Sequence, residues 1–184
     1  MRRIAIALAL GAATAATAAT AATAAAAQPG RATSVYTALD VARCAQTAHE
    51  EEGSSTTWRC RGHAGIPLIV MAGDDRYDID AGEDNGEWEA PGRFSTPGPR
   101  VEWRLRGGRP FAIIYRLLLS GDNLPNSSVL AVESIGRPGH AGCLVAMIDG
   151  RLANANALAR ARADARAASF RCGEDEHEQH GRAQ

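Results

Sequence analysis

The chain contains no lysine, so all 20 of its basic residues are arginines. It has no Cys-x-x-Cys pair for redox or zinc chemistry. It also lacks the Gly-x-Ser-x-Gly, Ser-x-x-Lys and P-loop motifs of nucleophilic and phosphate chemistry. No run of about 20 strongly apolar residues, the length of a membrane-spanning helix, is present. The sequence therefore names no reaction and no cofactor, and what it does contain concerns location and architecture.

The first 27 residues have the three parts of a secretory signal peptide. Arg2 and Arg3 form the positive start, Ile4–Leu10 forms the apolar centre, and an Ala/Thr repeat ends in Ala25–Ala27. We expect cleavage after Ala27, which places the chain in the periplasm or the medium without a stable membrane anchor. Retention of the segment as an anchor is the alternative, but the Ala/Thr repeat is barely hydrophobic.

Removal of this segment leaves a chain of one-domain size. We expect a linker over 28–33, a single domain over 34–172 and a flexible polar tail over 173–184. Without Arg2 and Arg3 the chain has 18 arginines against 21 acidic residues, a net charge near −3. Nucleic-acid-binding proteins carry a clustered basic excess instead, so we expect no nucleic-acid partner.

Between residues 34 and 149, short runs of β-branched, aromatic and other apolar residues alternate with turn-forming residues, which is typical of antiparallel strands. The predicted strands are Val35–Leu39, Cys44–Ala48, Thr56–Arg61, Pro67–Ala72, Arg76–Asp80, Val101–Arg106, Pro110–Leu119, Val129–Ile135 and Gly142–Ile148. We expect an α+β fold, in which one C-terminal helix packs on a mostly antiparallel, twisted β-sheet or open barrel of seven to nine strands.

The hairpin around Gly107 and Gly108 has the clearest register. Apolar and charged residues alternate on its first strand and apolar residues recur at every second position of the return strand, so the buried face fixes which residues pair. A three-residue loop that includes Arg109 pairs apolar with apolar residues, whereas a two-residue turn mixes the faces. The predicted pairs are Leu105–Phe111, Trp103–Ile113 and Val101–Tyr115.

After Asp149 the apolar period changes to that of a helix. Asn154 is the predicted N-cap, and we expect the helix to run to about Ser169. A narrow stripe at +3 and +4 spacing is predicted to face the sheet: Leu158, Ala161, Ala165, Ala168 and Cys172. We also expect an ion pair between Arg160 and Asp164.

Four cysteines in an exported chain predict two disulfides, for which three connectivities exist. We favour Cys44–Cys60, which joins two neighbouring strands, and Cys143–Cys172, which fastens the helix to the last strand. A lone nucleophilic cysteine is the alternative, but it would leave an odd partner.

The longest irregular segment, residues 81–99, is rich in glycine, proline and acidic residues. Loops of this length are usually functional or disordered. The aromatic residues of this loop either cover a sheet edge or form a recognition surface, and the sequence leaves both interpretations open. The residues that we would test first as a binding surface are Trp58, Arg61, His63, Trp88, Arg93 and Phe94.

The sequence predicts no catalytic and no metal site. Acidic residues are dense over 74–84, but their spacing does not fit an EF-hand, and we interpret them as a solvated strand end. His177 and His180 are three residues apart, not four as in the zinc motif His-Glu-x-x-His. The carboxylates that could serve glycoside hydrolysis by number are Glu87, Glu89, Glu102 and Glu133.

Several strings of the chain belong together: Val35–Asp40 followed by Cys44, Trp58–Cys60, Gly65–Pro67, Thr96–Arg104, Pro110–Arg116, Gly142–Cys143 and Asn154–Ala157. They resemble an uncharacterised family of small secreted bacterial proteins with four cysteines and no assigned activity. The resemblance spans about Ser34–Cys172 and implies one domain with the same four cysteines. It implies no catalytic or ligand-binding residue.

Together, these observations favour an exported, soluble, non-enzymatic binding protein, and inhibition of an envelope hydrolase is one form that this role could take. We expect an envelope protein or ligand as its partner and a monomeric state. An envelope hydrolase that uses pocket carboxylates or a histidine is the first alternative. A structural or stress-related envelope protein is the second.

Overall fold

A computed structural model describes residues 30–51, 54–121 and 127–182 of the protein. The predicted signal peptide and its cleavage position lie outside the described residues. No helix within those three ranges combines the length and the apolar character that crossing a membrane requires.

The described residues form ten strands, a 3-10 turn and one helix. The strands are β1 (Thr33–Ala38), β2 (Ala45–Glu50), β3 (Ser55–His63), β4 (Ile66–Gly73), β5 (Arg76–Ala81), β6 (Ser95–Arg106), β7 (Arg109–Leu119), β8 (Ser128–Ser134), β9 (Leu144–Asp149) and β10 (Glu178–His180). The helix α1 (Ala155–Arg162) continues as a π-helical turn over Ala163–Ala167, and the 3-10 turn is Val41–Arg43. One sheet has the order β1-β6-β7-β8-β9-β10 and the other has the order β2-β3-β4-β5.

The two sheets and the helix form three layers, which β7 illustrates. Ile113, Tyr115 and Leu117 belong to the core between the sheets, whereas Ala112 and Ile114 belong to the core beneath the helix. Side chains alternate across a strand, so a strand that is apolar at successive positions is buried on both faces. The prediction of a mostly antiparallel α+β fold with a C-terminal helix is confirmed, with the strands divided between two sheets that do not close into a barrel.

Both predicted disulfides are present. Cys44–Cys60 joins the residue before β2 to β3, and Cys143–Cys172 joins the residue before β9 to the segment after the helix. The bridged residues are 16 and 29 positions apart. In the chain-entropy picture, loops of these lengths contribute about 3 and about 4 kcal/mol by restricting the unfolded chain.

The β6–β7 hairpin keeps most of the predicted register but not the predicted loop. The predicted pairs Val101–Tyr115 and Trp103–Ile113 are present. The turn, however, consists of Gly107 and Gly108 alone, and their φ angles of 57° and 77° suit a two-residue hairpin turn. The pair Leu105–Phe111 is wrong, because Leu105 pairs with Pro110 and a bulge then restores the register. Phe111 packs beneath the helix as a result.

The helix buries a different stripe from the predicted one. Its buried residues are the alanines at +4 spacing: Ala155, Ala159, Ala163 and Ala167. Of the predicted stripe, Ala161, Ala165 and Ala168 are exposed, Leu158 is partly buried, and Cys172 is exposed and joined to the sheet by its disulfide. Residues at +4 spacing shift progressively around an α-helix, because one turn has about 3.6 residues. The π-helical turn has more residues per turn, so it compensates for this shift and keeps the later alanines on the buried face. Asn154 is the N-cap residue of the helix, as predicted, but its side chain makes no capping hydrogen bond.

Arginine–carboxylate contacts attach the helix to β6. The buried Arg104 donates from Nε and Nη2 to the carboxylate of Asp164 at 2.9 and 2.7 Å. Arg160 donates from Nε and Nη2 to Glu102 at 2.7 and 3.1 Å. The expected Arg160–Asp164 pair along the helix is therefore replaced by two contacts between the helix and the sheet.

Structure extends beyond both predicted ends of the domain. β1 begins at Thr33, inside the expected linker, and Glu178–His180 of the expected flexible tail pairs in parallel with β9. The disulfide at Cys172 holds the start of this tail near the sheet. Glu178 accepts a hydrogen bond from Arg166 at 2.8 Å, so a charged contact attaches a segment that has few apolar residues.

Candidate functional site

The structure separates the six predicted surface residues: Trp58 pairs with Val70 in the middle of β4, and the other five lie near the two ends of that strand. Trp58 is partly buried in the core, with its ring stacked on Tyr77 at 6.5 Å between centroids. Arg61 and His63 line a pocket of about 550 Å³ at the β3–β4 turn, where the His63 ring lies 5.9 Å from that of Trp103. β4 has 8 residues, so its ends are about 25 Å apart at the usual rise of a strand.

The other three residues lie on the loop between β5 and β6, at the opposite end of β4. This β5–β6 loop covers residues 82–94 and is shorter than predicted, because β6 begins at Ser95. Arg93 is exposed, and the side chains of Trp88 and Phe94 are 42% and 51% exposed. A Cβ atom placed on Gly73 would lie 3.7 Å from Trp88 Cη2, so the indole lies beside the β4–β5 turn.

Beneath the β5–β6 loop, β5 carries two buried aspartates. Asp78 and Asp80 are 1% and 0% exposed, although both belong to the acidic run that we interpreted as solvated. That interpretation is wrong for these two residues, because the loop covers them. The backbone N–H of Glu89 donates to Asp78 Oδ2 at 2.8 Å, and that of Asn85 donates to Asp80 Oδ2 at 3.2 Å.

Two glutamates and a tyrosine meet the aspartates. The Tyr115 hydroxyl on β7 donates to Oε1 of Glu133 on β8 at 3.1 Å. Glu89 on the loop accepts at Oε2 from the backbone N–H of Leu144 at 2.8 Å and from the side-chain amide of Asn85 at 2.9 Å. The carboxylate cluster, as we name it, consists of Asp78, Asp80, Glu89, Glu133 and Tyr115.

The carboxylates of this cluster lie close together, and no basic side chain within residues 30–51, 54–121 and 127–182 forms an ion pair with them. One oxygen from each of Asp80, Glu89 and Glu133 lies within 4.8 Å of the other two. Asp80 Oδ1 and Glu133 Oε2 are buried and have no hydrogen-bond partner among the residues that the structure describes. Among the described residues, the ion pairs of arginine and histidine all involve other carboxylates.

Burial raises the pKa of every carboxyl group in the cluster. It raises the pKa of Asp78 to about 6 and that of Asp80 to about 8, against backbone hydrogen bonds that lower both. Burial also raises the pKa of Glu89. Burial first, and then the charges of Asp78 and Asp80, raise the pKa of Glu133 well above its ordinary value. Two arrangements relieve such crowding: shared protons, or a bound cation.

Glu89 is the carboxylate of the cluster that lines a pocket among the described residues. It lines a pocket of about 220 Å³ together with Trp88 and His177, whereas Asp80 and Glu133 have 0% exposure. A polymer chain has no route to two fully buried carboxylates. Asp80 and Glu133 therefore do not fit a mechanism in which two carboxylates flank a scissile bond.

Sequence reasoning named Glu89 and Glu133 as candidate carboxylates without showing that they meet. Their companions in that set lie elsewhere: Glu87 is exposed, and Glu102 pairs with Arg160. One signal for the cluster was present in the chain, because Glu133 interrupts a strand that is otherwise apolar or small. A charged residue at such a position requires a partner in the folded protein.

Comparisons of the chain with protein-family models, curated proteins and solved structures found no match. The resemblance to small secreted bacterial proteins therefore remains a prediction, and what the structure supports is the frame of four cysteines in two disulfides. The functional conclusion follows from the geometry of the β5–β6 loop and the carboxylate cluster.

Proposed function

We propose that this chain is an exported, non-enzymatic protein that binds a protein partner through the β5–β6 loop, in the periplasm or the surrounding medium. The two disulfides support the compartment, because such bonds persist mainly in oxidising environments outside the cytosol. The predicted signal peptide, with cleavage after Ala27, supplies the route of export.

The observation that carries this proposal is the exposure of Trp88 and Phe94 on a loop whose backbone is fixed from beneath. Backbone hydrogen bonds from Asn85 and Glu89 to the buried aspartates hold the loop in place. Binding then orders little additional backbone, so the contact area of the aromatic rings contributes directly to affinity. Exposed aromatic side chains of this kind are frequent hot spots of protein interfaces.

The surroundings of the two aromatic residues indicate the chemistry of the partner. Five acidic residues are exposed on the β4–β5 turn and the β5–β6 loop: Asp74, Asp75, Glu83, Asp84 and Glu87. The complementary surface is an apolar cleft bordered by basic side chains. Occupation of such a cleft on an envelope hydrolase would make the protein an inhibitor, which is the form of the role that we favour.

Photo-crosslinking in the cells that produce the protein tests the proposal. A photoreactive residue in place of Phe94 should give an adduct with one protein. The same residue in place of Arg109, the first residue of β7 at the opposite end of the β6–β7 hairpin, should not. The purified partner should bind the Trp88→Ala variant at least ten-fold more weakly than the unchanged chain, with Arg109→Ala as the matched control. Equal binding by the Trp88→Ala variant and the unchanged chain would contradict the proposal.

One observation favours a second candidate, an envelope hydrolase. Burial raises the pKa of Glu89, the carboxylate of the cluster that lines a pocket, and a raised pKa is what a general acid requires. Turnover of a cell-wall glycan that is lost in Glu89→Gln and kept in the exposed control Glu87→Gln would establish this candidate. Absence of turnover by the unchanged chain would exclude it for that polymer.

A further inference from the structure

The carboxylate cluster has the spacing of an oxygen-ligand site. One oxygen from each of Asp80, Glu89 and Glu133 lies within 4.8 Å of the others. Ca²⁺ binds oxygen at 2.3–2.6 Å, so two ligands on opposite sides of the ion are at most about 5 Å apart. The three oxygens therefore fall within the span of one calcium ion. Mg²⁺ binds at 2.0–2.1 Å and usually keeps several of its water ligands, so a buried site made of protein oxygens suits it less than Ca²⁺.

Two of these carboxylates have an oxygen that lacks the partner its burial demands. Asp80 Oδ1 and Glu133 Oε2 are shielded from solvent and accept no hydrogen bond within the described part of the chain, and both side chains are 0% exposed. The single proton of the Tyr115 hydroxyl is committed to the other oxygen of Glu133. A buried carboxylate oxygen without a donor loses its hydration and gains nothing in return. A cation between these oxygens supplies what is missing.

We propose that Asp80, Glu89 and Glu133 bind one hard divalent cation, Ca²⁺ by preference, beneath the β5–β6 loop. The donors are all carboxylate oxygens, which such cations favour over softer metals. Asp78 is a positioning residue, because its two oxygens accept backbone N–H groups of Ile79 and Glu89 and so fix the loop above the site. This proposal does not depend on the proposed protein partner.

The ligands come from three separate parts of the fold, which gives the cation a structural consequence. Asp80 belongs to β5 of the four-stranded sheet, Glu133 belongs to β8 of the six-stranded sheet, and Glu89 belongs to the loop. A bound cation therefore joins both sheets and the loop. Because it binds the folded chain and not the unfolded one, its binding raises the melting temperature.

Calorimetric titration of the chelator-treated, full-length chain with CaCl₂ is the direct test. We expect one Ca²⁺ per chain and a melting temperature that rises with Ca²⁺ concentration, with weaker effects of MgCl₂ and MnCl₂ in parallel titrations. Tb³⁺ serves as a luminescent substitute for Ca²⁺, and excitation through Tyr115 should sensitise it because that hydroxyl contacts Glu133. Added Ca²⁺ should then displace Tb³⁺ and quench the emission.

Charge-neutralising variants of nearly equal volume separate a ligand role from a folding role. Glu133→Gln and Asp80→Asn should each weaken Ca²⁺ binding at least ten-fold. Without Ca²⁺ they should melt at or above the temperature of the unchanged chain, because each removes repulsion within the cluster. The matched controls Glu87→Gln and Asp75→Asn change exposed acids of the same region and should bind Ca²⁺ normally.

Three outcomes would overturn the proposal. The first is the absence of binding by all three divalent cations, in which case a higher melting temperature of Glu133→Gln would show that shared protons hold the cluster together. The second is normal Ca²⁺ binding by both Glu133→Gln and Asp80→Asn. The third is an equal loss of binding in Glu87→Gln, which would place the ion on the exposed acids instead.

Discussion

The Tyr115 hydroxyl donates its proton to Glu133 Oε1 across 3.1 Å in the interior of the protein. Asp78 Oδ1 lies farther from the same hydroxyl, at 3.5 Å, so the bond to Glu133 is the stronger one. Tyr115 pairs with Ala131 across β7 and β8, which makes Glu133 its diagonal neighbour on the same face of the sheet. The central strands of the six-stranded sheet thus support the carboxylate cluster directly.

Removal of this hydroxyl should destabilise the fold. In Tyr115→Phe, Glu133 loses the hydrogen bond from the Tyr115 hydroxyl while it stays buried, and such a loss typically costs about 1–3 kcal/mol. Urea unfolding in the presence of a chelator measures the free energy of unfolding without any contribution from a cation. The control is Tyr36→Phe, because the Tyr36 hydroxyl is exposed and accepts from Arg160 at 3.0 Å. Equal costs for the two variants would contradict the prediction.

The contact between Arg104 and Asp164 should stabilise the packing of the helix against the sheet. Arg104 is 5% exposed, and Asp164→Asn leaves its guanidinium with Glu102 at 3.6 Å as its remaining ion-pair partner. Loss of a partner from a buried charge costs several kcal/mol, and the partial exposure of Asp164 reduces this to about 1–3 kcal/mol. Urea unfolding of Asp164→Asn measures the cost. In the control Glu174→Gln, which removes an exposed partner of Arg171, the stability should not change measurably.

Protonation of Asp149 should account for part of the stability that the fold loses at low pH. Hydrogen bonds from the Arg151 side chain lower the pKa of Asp149 from 3.8 to about 2. Because the folded-state pKa lies below the ordinary value, the ionised carboxylate stabilises the fold above about pH 4, and this contribution is lost as the pH falls towards 2. Asp149→Asn should therefore lose less stability than the unchanged chain between about pH 4 and pH 2.

Urea midpoints at the two ends of this pH range measure the difference for each protein. Glu87→Gln, which changes an exposed carboxyl group, is the control and should keep the acid sensitivity of the unchanged chain. If Asp149→Asn loses as much stability as the unchanged chain, the Asp149–Arg151 contact does not contribute to the loss of stability at acidic pH.

The strands of the sheets were predictable because apolar and polar residues alternate along a strand that has one buried face. Val101 and Trp103 face the same core as their predicted partners on β7, and that face determined the register. The length of the turn between β6 and β7 was not predictable from the buried faces of the two strands alone. A bulge changes the parity of a strand pair, so a two-residue turn with a bulge and a three-residue loop satisfy the same apolar pattern.

The carboxylate cluster was less predictable because its members meet only through tertiary structure. Asp80 and Glu133 belong to different sheets, and nothing local distinguishes Asp80 from the exposed Asp74 and Asp75 of the same acidic run. Burial of Asp80 follows from the path of the β5–β6 loop, which periodicity does not specify. The chain carries the residues of the site, and the packing of the edge strand β5 against the six-stranded sheet brings them together.

The buried face of the alanine-rich helix was not predictable from its apolar pattern either, and the face that the structure shows can be tested by substitution. Because alanine is common on all sides of the helix, the apolar pattern has little contrast. Ala159 is 0% exposed against the sheet, whereas Ala161 is exposed. Ala159→Leu should overpack the interface and cost about 1–3 kcal/mol in urea unfolding. Ala161→Leu should leave stability nearly unchanged, since leucine forms helices almost as well as alanine. A larger stability cost for Ala161→Leu than for Ala159→Leu would mean that the stripe predicted from the sequence faces the sheet. That result would contradict the π-helical turn, which keeps Ala163 and Ala167 against the sheet.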